Sequence, residues 1–249
     1  MAALQVRDVS FSYDNVTPIL EHIDLTLNDG ELVCLLGVSG GGKTTLFNIM
    51  AGLLHPLQGQ VLLNGEDVTG KTGKISYMLQ KDMLLPYRTV VDNVALPLII
   101  KGMKKKEARE KAGAYFEQFG IEGTQKNYPM ELSGGMRQRA ALLRTYLFSA
   151  DVALLDEPFS ALDAFTKAEM HRWYLDVMSR IKLSTIFITH DIDEAILLSD
   201  RIYLLCGKPA TLSDEIIIRE PKPRAEDFHL SEPFMQYKRE IIRKLKHMT

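Results

Sequence analysis

GVSGGGKT, residues 37–44, fits the pattern G-x-x-x-x-G-K-[ST] and lies between an apolar run at residues 32–36 and a helical stretch at 45–51. In such a strand–loop–helix unit the glycines let successive backbone N–H groups curl round an anion, and the dipole of the helix N-terminus adds to the attraction. Lys43 can then reach the β and γ phosphates of a nucleotide, and Thr44 can ligate Mg²⁺. The motif and its setting together predict a site for nucleotide phosphates.

Short apolar runs of β type alternate with helical stretches along most of the chain. The predicted strands lie at residues 31–36, 75–78, 152–155, 185–189 and 201–205. Several of them are apolar throughout, which is typical of strands buried on both faces, and their alternation with helices favours a mainly parallel sheet. Residues 4–27 alternate polar and apolar positions instead, which predicts an antiparallel flap at the sheet edge. Apolar residues at helical spacing in 166–181 predict a helix that faces the core.

The middle and the end of the chain depart from this alternation. The strand signal fades between residue 84 and about residue 148, so we predict a helical subdomain inserted there. A lysine run at 104–106 opens a helix and is followed at once by two glutamates, which favours a solvated face over a nucleic-acid surface. We predict one domain over residues 1–218 and a short tail over 219–249 with a helix near its end.

Composition and charge narrow the class of protein. The chain has 249 residues, of which 46% are hydrophobic, enough for one substantial α/β domain. Its 30 basic and 32 acidic residues give a net charge of −2, so no global basic field attracts nucleic acid or an anionic membrane. Cys34 and Cys206 lie in apolar runs, which favours a reducing compartment, and no apolar stretch approaches the roughly 20 residues that span a bilayer. We therefore expect a cytoplasmic protein that neither crosses a membrane nor is exported.

A second strand carries acidic residues at its end. VALLDE, residues 152–157, is an apolar run that finishes in two carboxylates, and ligands of open α/β sheets bind at this end of the strands. We expect Asp156 to complete the Mg²⁺ shell and Glu157 to polarise an attacking water. Taken alone, the acidic pair is more typical of a helix cap.

LSGGMRQR, residues 132–139, precedes a predicted helix and lies just upstream of that strand. With these residues in place, the chain resembles the ATP-binding subunit of an ABC transporter. The similarity covers residues 4–218 and rests on the phosphate loop, Gln80, LSGGMRQR, LLDEPFSALD and His190, in the order of the family. Some ATP-binding subunits have Gln where Met136 stands, a departure that touches no catalytic group. The resemblance implies an α/β fold of the P-loop NTPase type, with a mainly parallel RecA-like core sheet, an N-terminal antiparallel β subdomain and an inserted α-helical subdomain.

The resemblance also implies two ATP molecules sandwiched between two head-to-tail copies of the chain. It makes Glu157, His190 and Gln80 the catalytic residues, and it makes Thr44, Gln80 and Asp156 the Mg²⁺ ligands. The residues that it assigns to ATP are Tyr13, Gly37, Val38, Ser39, Gly40, Gly41, Gly42, Lys43, Thr44, Thr45, Ser133, Gly134, Gly135 and Asp163. Tyr13 would stack on adenine, and the segment 133–135 would cap the γ-phosphate held by the other copy.

Several of these residues also have an ordinary structural interpretation. Ser133 is a good N-cap, and either Ser160 or Asp163 could cap the next helix. Tyr13, without the resemblance, would more often belong to the core. An isolated glutamine at position 80 would normally be a polar loop residue.

The function implied by the resemblance is ATP hydrolysis that energises solute import through a separate transmembrane permease, with an extracytoplasmic solute-binding protein as an indirect partner. The chain would then lie at the cytoplasmic face of the membrane. The segments LLDEPFSALDAFTK and LPYRTVVDNV are most similar to those of the importers of nitrate, sulfonate, taurine and pyrimidine precursors. The alternative is an ABC ATPase in DNA repair, chromosome maintenance or translation, but the long coiled coils, zinc insertions or tandem modules of those proteins are not in this sequence. A small-molecule kinase would leave LSGGMRQR unexplained.

Two apolar sets have competing interpretations. Leu84, Leu85, Pro86 and Tyr87 follow Gln80 closely, and they predict either a docking surface for the permease or packing within the insertion. In the tail, a stripe every three or four residues predicts either a helix packed on its own domain or one that rests on anionic lipid headgroups. That stripe consists of Phe234, Tyr237, Ile241 and Leu245.

Overall fold

The computed structural model describes residues 2–149, 151–213, 215–222, 224–225 and 227–247. The strands are β1 (Ala2–Ser12), β2 (Pro18–Asn28), β3 (Leu32–Leu36), β4 (Gln58–Leu63), β5 (Glu66–Asp67), β6 (Ser76–Met78), β7 (Val152–Asp156), β8 (Ser184–Thr189), β9 (Arg201–Gly207), β10 (Ala210–Leu212) and β11 (Ile216–Ile217). The α-helices are α1 (Lys43–Met50), α2 (Val90–Val94), α3 (Leu96–Ile100), α4 (Lys105–Gly113), α5 (Gly134–Phe148), α6 (Ala164–Ile181), α7 (Ile192–Leu198) and α8 (Glu232–His247). Short 3₁₀ turns lie at Pro129–Glu131 and Phe228–Leu230.

The centre of the sheet is parallel. β3 pairs with β8 and β9, β8 pairs with β7, and β7 pairs with β6, all in parallel register. Strands β3, β7 and β8 are buried along their whole length, as the apolar runs at residues 32–36, 152–155 and 186–188 predict. Because successive side chains of a strand point to opposite faces, Cys34 and Leu36 join one apolar cluster, while Val33 and Leu35 join the other. The sheet therefore has a packed core on each face.

The N-terminal region pairs in antiparallel fashion, as predicted. β1 pairs with β2 and β4, and β4 pairs with β5. The position of this flap differs from the sequence-based expectation, because β1 and β2 do not form the sheet edge. β10 joins β2 to β9, so the flap and the parallel strands form one continuous mixed sheet in the described part of the chain. This junction depends on a three-residue strand that carries too little local pattern to be seen in the sequence.

Helices α2 to α5 lie between β6 and β7, where the fold class predicted an inserted helical subdomain. Their apolar faces contribute Val94, Leu98, Ala108 and Leu143 to the larger of the two apolar clusters. The insertion therefore packs against the core sheet through the same cluster that buries β3. The domain limits at residues 84–148 and 218 stay predictions. No helix among the described residues combines the length and apolarity needed to cross a bilayer.

The tail helix α8 packs on its own domain. Phe234 and Ile241 are buried, and the Phe234 ring meets that of Phe228 edge to face at a centroid distance of 5.5 Å. Lys238 Nζ lies 2.6 Å from Asp193 Oδ1 on α7. Met248, the last residue of the predicted helix, lies outside the described residues.

Three of the five lysine and arginine residues of α8 have acidic neighbours in the chain. Besides the Lys238 pair, Arg239 pairs with Glu232 and Lys244 pairs with Glu240. Such pairing lowers the charge that a membrane surface would attract. The structure therefore favours the packing interpretation of the tail over the headgroup interpretation.

We expect Ile241→Ala to lower the free energy of unfolding by about 2–5 kcal/mol, because the substitution removes a fully buried side chain and leaves a cavity. The neighbouring Ile242, which is 37% exposed, provides the control, and Ile242→Ala should change stability by no more than about 0.5 kcal/mol. Denaturant unfolding of both variants makes the comparison. Equal losses at the two positions would contradict the packing described here.

Candidate nucleotide site

The candidate residues lie at one edge of the parallel sheet. The phosphate loop follows β3, His190 follows β8, and Asp156 ends β7. Leu36 is paired with Thr189, and Asp156 is paired with Ile188, so these strand ends stand side by side. In open α/β sheets this carboxyl edge is where ligands bind.

Backbone geometry explains the glycines of the phosphate loop. Gly40 and Gly42 have φ of +75° and +86°, in the left-handed region that side chains rarely adopt. At Gly37 a Cβ atom would come within 2.4 Å of the Leu205 carbonyl oxygen. Gly42 precedes α1 directly, so the loop leads its N–H groups into a helix N-terminus. The loop is thus shaped as an anion cradle that larger residues would close.

Lys43 places a positive charge in that cradle. Its Nζ donates to the carbonyl oxygens of Gly37 and Val38, both at 2.8 Å, and the side chain is buried. Burial lowers the pKa of this ammonium group, whereas the charges of Glu157 and Asp156 act in the opposite direction. A buried ammonium group with only loop carbonyls and nearby carboxylates is well placed to attract phosphate oxygens.

The donor set beside Lys43 suits Mg²⁺. Thr44 Oγ1 donates to Asp156 Oδ2 at 3.3 Å, and Gln80 lines the same cavity. Burial raises the pKa of Asp156. Hydroxyl, carboxylate and amide oxygens are hard ligands, and Mg²⁺ usually takes only one or two carboxylates and completes its shell with substrate phosphates and water. No group of three or more His, Cys, Asp or Glu among the described residues could hold a metal by itself, so a cation here would need phosphate oxygens as further ligands.

The Glu157 carboxylate contacts polar side chains on both of its oxygen atoms. Its Oε2 accepts from Gln80 Nε2 at 3.1 Å, and its Oε1 lies 3.1 Å from His190 Nδ1. Its φ is +45°, an uncommon value for a residue other than glycine, while its N–H donates to the Ile188 carbonyl oxygen at 3.1 Å. Backbone strain of this kind clusters at functional sites, where the surrounding structure holds it.

Tyr13 forms one wall of the cavity and is 64% exposed, so it is not the core residue that its sequence position alone would favour. Its hydroxyl lies 3.1 Å from Thr45 Oγ1, and its ring meets that of Phe11 edge to face at 4.9 Å. The Thr45 and Phe11 contacts orient the Tyr13 ring, and an exposed aromatic ring of this kind can stack on a planar base.

Most of the predicted residues share one cavity of about 570 Å³. It is lined by Tyr13, Ile19, Ser39, Gly40, Gly42, Lys43, Thr44, Thr45, Gln80, Asp156, Glu157, Ile188 and His190. Gly37, Val38 and Gly41 belong to the same loop, and two of them supply the carbonyl groups that accept from Lys43. Sequence reasoning missed Ile19 and Ile188, which look like ordinary strand residues.

Ser133, Gly134, Gly135 and Asp163 do not line this cavity. Ser133 caps α5 by accepting from the Met136 N–H at 3.2 Å, and Asp163 caps α6 by accepting from the N–H groups of Phe165 and Thr166. The structure thus confirms the structural interpretation of both residues and identifies Asp163, not Ser160, as the cap. Their segments approach each other, because a Cβ at Gly134 would lie 3.6 Å from Leu162 Cδ2.

Two further residues contact Glu157 and Asp156. The sequence predicts only a possible helix cap for Ser160 and no site role for Tyr77. Ser160 Oγ donates to the Glu157 carbonyl oxygen at 3.0 Å, and Tyr77 OH lies 3.5 Å from Asp156 Oδ2. Burial raises the pKa of Tyr77. The available signal for Tyr77 was its position three residues before Gln80 in a predicted strand, which does not distinguish it from a core residue.

Comparison with known proteins agrees with this geometry. Residues 20–160 match the sequence family described as "ABC transporter". The formylaminopyrimidine import ATP-binding protein ThiZ of Halalkalibacterium halodurans is 45% identical over 206 residues, which are 83% of this chain and 80% of that protein. The aliphatic sulfonates import ATP-binding protein SsuB of Bacillus cereus is 38% identical over 247 residues, which are 98% of this chain and 96% of that protein.

A solved dimeric structure of a bacterial ABC transporter cassette has a TM-score of 0.73 and 27% identity, and the match covers 88% of this chain and 100% of the cassette. The P-loop NTPase fold predicted from the sequence is therefore confirmed. The comparisons support none of the repair, translation or kinase alternatives. The family match spans more than half of the chain, and ThiZ is 45% identical over 83% of it. This chain therefore belongs to the ABC transporter family and is an ATP-binding subunit that hydrolyses ATP.

Proposed function

We propose that this ATPase energises the import of a small solute through a separate membrane-embedded permease, and that it works as a head-to-tail dimer with two shared ATP sites. The observation that carries the proposal is the division of the predicted site residues. One cavity of about 570 Å³ is lined by Lys43, Asp156 and Glu157. The segment 133–135 lies outside that cavity. A second copy of the chain is the natural source of the missing wall.

Within each site we assign separate tasks to the three polar residues around the reacting phosphate. Glu157 accepts hydrogen bonds and carries the carboxylate that would polarise the attacking water. His190, which is 61% exposed beside Glu157, would contact the γ-phosphate and hold the carboxylate in place. Gln80 would align the water from the opposite side of Glu157. Water is thus oriented by a fixed set of side chains, which lowers the entropic part of the barrier.

Thr44, Asp156 and Gln80 are the residues that would hold Mg²⁺. When bound, Mg²⁺ supplies neutralisation of the phosphate charge. Lys43 provides a further positive charge from the chain itself, and the N–H groups of the loop bind phosphate oxygens. Tyr13 holds the adenine by stacking, a contact worth on the order of 1–3 kcal/mol by analogy with nucleic-acid platforms.

The shared-site arrangement gives Ser133 and Asp163 their second role. Each already caps a helix, so each has its side chain fixed at a helix N-terminus. The N–H groups at Gly134 and Gly135 and the dipole of the 15-residue helix α5 add an anion receptor at that terminus. In a head-to-tail dimer this receptor would face the γ-phosphate held by the other copy.

The loop after Gln80 is the proposed contact with the permease. Tyr87 is 93% exposed, whereas Leu84 is buried in the larger apolar cluster, so the two interpretations of this segment apply to different residues. A mostly apolar cavity of about 400 Å³ adjoins the loop and is lined in part by Met83, Leu96 and Ile100. Exposed apolar side chains beside such a cavity are typical of a partner surface.

We expect Tyr87→Glu to uncouple transport while the ATPase activity of the isolated subunit stays within about twofold of wild type, because Tyr87 lines no part of the nucleotide cavity. A tagged wild-type chain should copurify from membranes with a hydrophobic permease, and the variant should lose it. Leu230→Glu, an equally drastic change at an exposed tail residue, is the control. Equal loss of transport and of isolated ATPase activity would favour packing instead, and failure of the wild-type chain to bring down any permease would refute the import function.

The solute belongs to the group that the relatives indicate. Their names place ThiZ in formylaminopyrimidine import and SsuB in import of aliphatic sulfonates. We extend this to an importer of the nitrate, sulfonate, taurine and pyrimidine-precursor group, with selectivity in the permease and in an extracytoplasmic solute-binding protein. The subunit would then lie at the cytoplasmic face of the membrane, held there by the permease and not by nucleic acid or lipid.

A further inference from the structure

The loop that follows Gln80 is held at Asp82 and Met83 by one guanidinium group of α5, and at Leu85 by the Asn93 side chain of α2. Arg144 of α5 donates from Nη2 to the Asp82 carbonyl oxygen at 2.6 Å and from Nη1 to the Met83 carbonyl oxygen at 2.8 Å. Two donors of one planar group on two successive carbonyl groups fix the orientation of the peptide between them. A lysine at the same place would offer one point charge and could not impose that orientation.

A second arginine of the same helix holds the side chain of Asp82. Arg137 Nε lies 3.3 Å from Asp82 Oδ2, and the Asp82 Oδ1 atom accepts from the Leu84 N–H at 3.0 Å. Arg137 is part of the first turns of α5, which starts directly after Ser133. Arg137 thus joins the loop to the start of α5, and Arg144 joins it to the same helix about two turns further on.

The Arg144 side chain is partly shielded from water. The side chain is half-buried beside the apolar cavity, and burial lowers the pKa of the guanidinium group. Desolvating this charge is unfavourable unless its donors are satisfied, and the two loop carbonyl groups satisfy two of them.

Gln80 lies only two residues before Asp82. A chain of that length spans at most about 7 Å, so a fixed peptide at 82–83 restricts where the Gln80 backbone can be. The Gln80 side chain ends 3.1 Å from Glu157 Oε2 on a different strand. A shift of the loop by 1 Å would be enough to break that hydrogen bond, and displacements of this size can lower turnover by about 10²-fold.

We propose that Arg144 is a positioning residue for ATP hydrolysis, which holds Gln80 against Glu157 by clamping the backbone of the following loop to α5. The proposal rests on the role assigned above to Gln80. It assigns to Arg144 no contact with nucleotide, since Arg144 does not line the nucleotide cavity. The rate of the chemical step should therefore depend on Arg144, whereas the affinity for ATP should not.

The test measures ATP hydrolysis by the full chain carrying Arg144→Lys. We expect kcat to fall by about tenfold or more, while KM and the dissociation constant for ATP stay within about twofold of wild type. Arg137→Gln, at a more exposed position, should lower kcat in the same direction by a smaller factor and guards against a misfolded lysine variant.

A second measurement separates positioning from general stability. In a Gln80→Ala background, Arg144→Lys should change kcat by less than about twofold, because residues that act through a common group are non-additive. Arg139→Lys is the matched control: Arg139 lies on the same helix, donates to the Gly120 carbonyl oxygen at 3.1 Å and packs over Trp173, but it does not touch the loop. Its kcat should stay within about twofold of wild type.

The possible outcomes are distinct. If Gln80→Ala alone leaves kcat unchanged, the role proposed for Gln80 fails, and the positioning role of Arg144 fails with it. If Gln80→Ala lowers kcat but Arg144→Lys does not, or if the two losses multiply, only the inference about Arg144 is overturned. A similar loss in Arg139→Lys would also overturn it, because the effect would then come from helix α5 in general.

Discussion

Glu157→Gln should lower the turnover of ATP by roughly 10² to 10⁴, the usual range for loss of a positioned base, while ATP still binds. The substitution keeps the size of the side chain but replaces the carboxylate that accepts from Gln80 and lies beside His190. It leaves untouched Lys43, Thr44 and the loop glycines, the residues proposed above to bind the phosphates and Mg²⁺. Steady-state phosphate release and equilibrium binding of ATP measure the two quantities separately.

The same variant should accumulate as an ATP-bound dimer. Closure needs ATP and reopening needs its loss, so a slow chemical step shifts the population toward the closed state. Size-exclusion chromatography with light scattering, with and without ATP, detects this shift. Glu117→Gln, at an exposed carboxylate outside the cavity, is the control and should behave as wild type. Turnover close to normal in Glu157→Gln would remove Glu157 from the role of base.

Subunits with Lys43→Ala and subunits with Ser133→Arg should each be inactive alone and should regain activity when mixed. In a head-to-tail dimer the phosphate loop of one copy meets the segment 133–135 of the other, so a mixed dimer has one site with both lesions and one intact site. The structure supports this, because Ser133 lies outside the cavity that Lys43 lines. Random pairing at equal amounts makes about half of the dimers mixed, and about a quarter of all sites intact.

The measurement is ATPase activity as a function of the mixing ratio, with a maximum expected near equal amounts. Lys43→Ala mixed with Glu157→Gln is the informative contrast. Both residues line the same cavity of one chain, so that mixture forms no dimer with an intact site if the segment 133–135 of the other copy is the only shared part. If the Lys43→Ala and Ser133→Arg mixture recovers neither activity nor ATP-driven closure, sharing of sites between copies is wrong.

The phosphate loop and the main strands could be predicted from the amino-acid sequence. Three positions of loop 37–44 require glycine. Gly40 and Gly42 have positive φ, and Gly37 lies too close to Leu205 for a Cβ atom. Because each requirement concerns a single residue, it can be recognised in the sequence. Strands β3, β7 and β8 each contain a run of at least three apolar residues and can therefore be predicted without their partners. The order of the motifs along the chain also sufficed to identify the family.

The way in which these elements pair depends on contacts between distant parts of the chain and could not be predicted from the sequence. β5, β10 and β11 have two or three residues each, so their pairing is determined by distant strands and not by local pattern, and the junction of flap and core through β10 could not be predicted. The hydrogen bonds of Glu157 to Gln80 and His190 depend on the register of β6, β7 and β8, which sets strand ends 33 and 77 residues apart in sequence side by side. The contacts of Arg144 with the loop after Gln80 have no motif at all, because a side chain that binds backbone carbonyl groups places no requirement on the identity of the residues it holds.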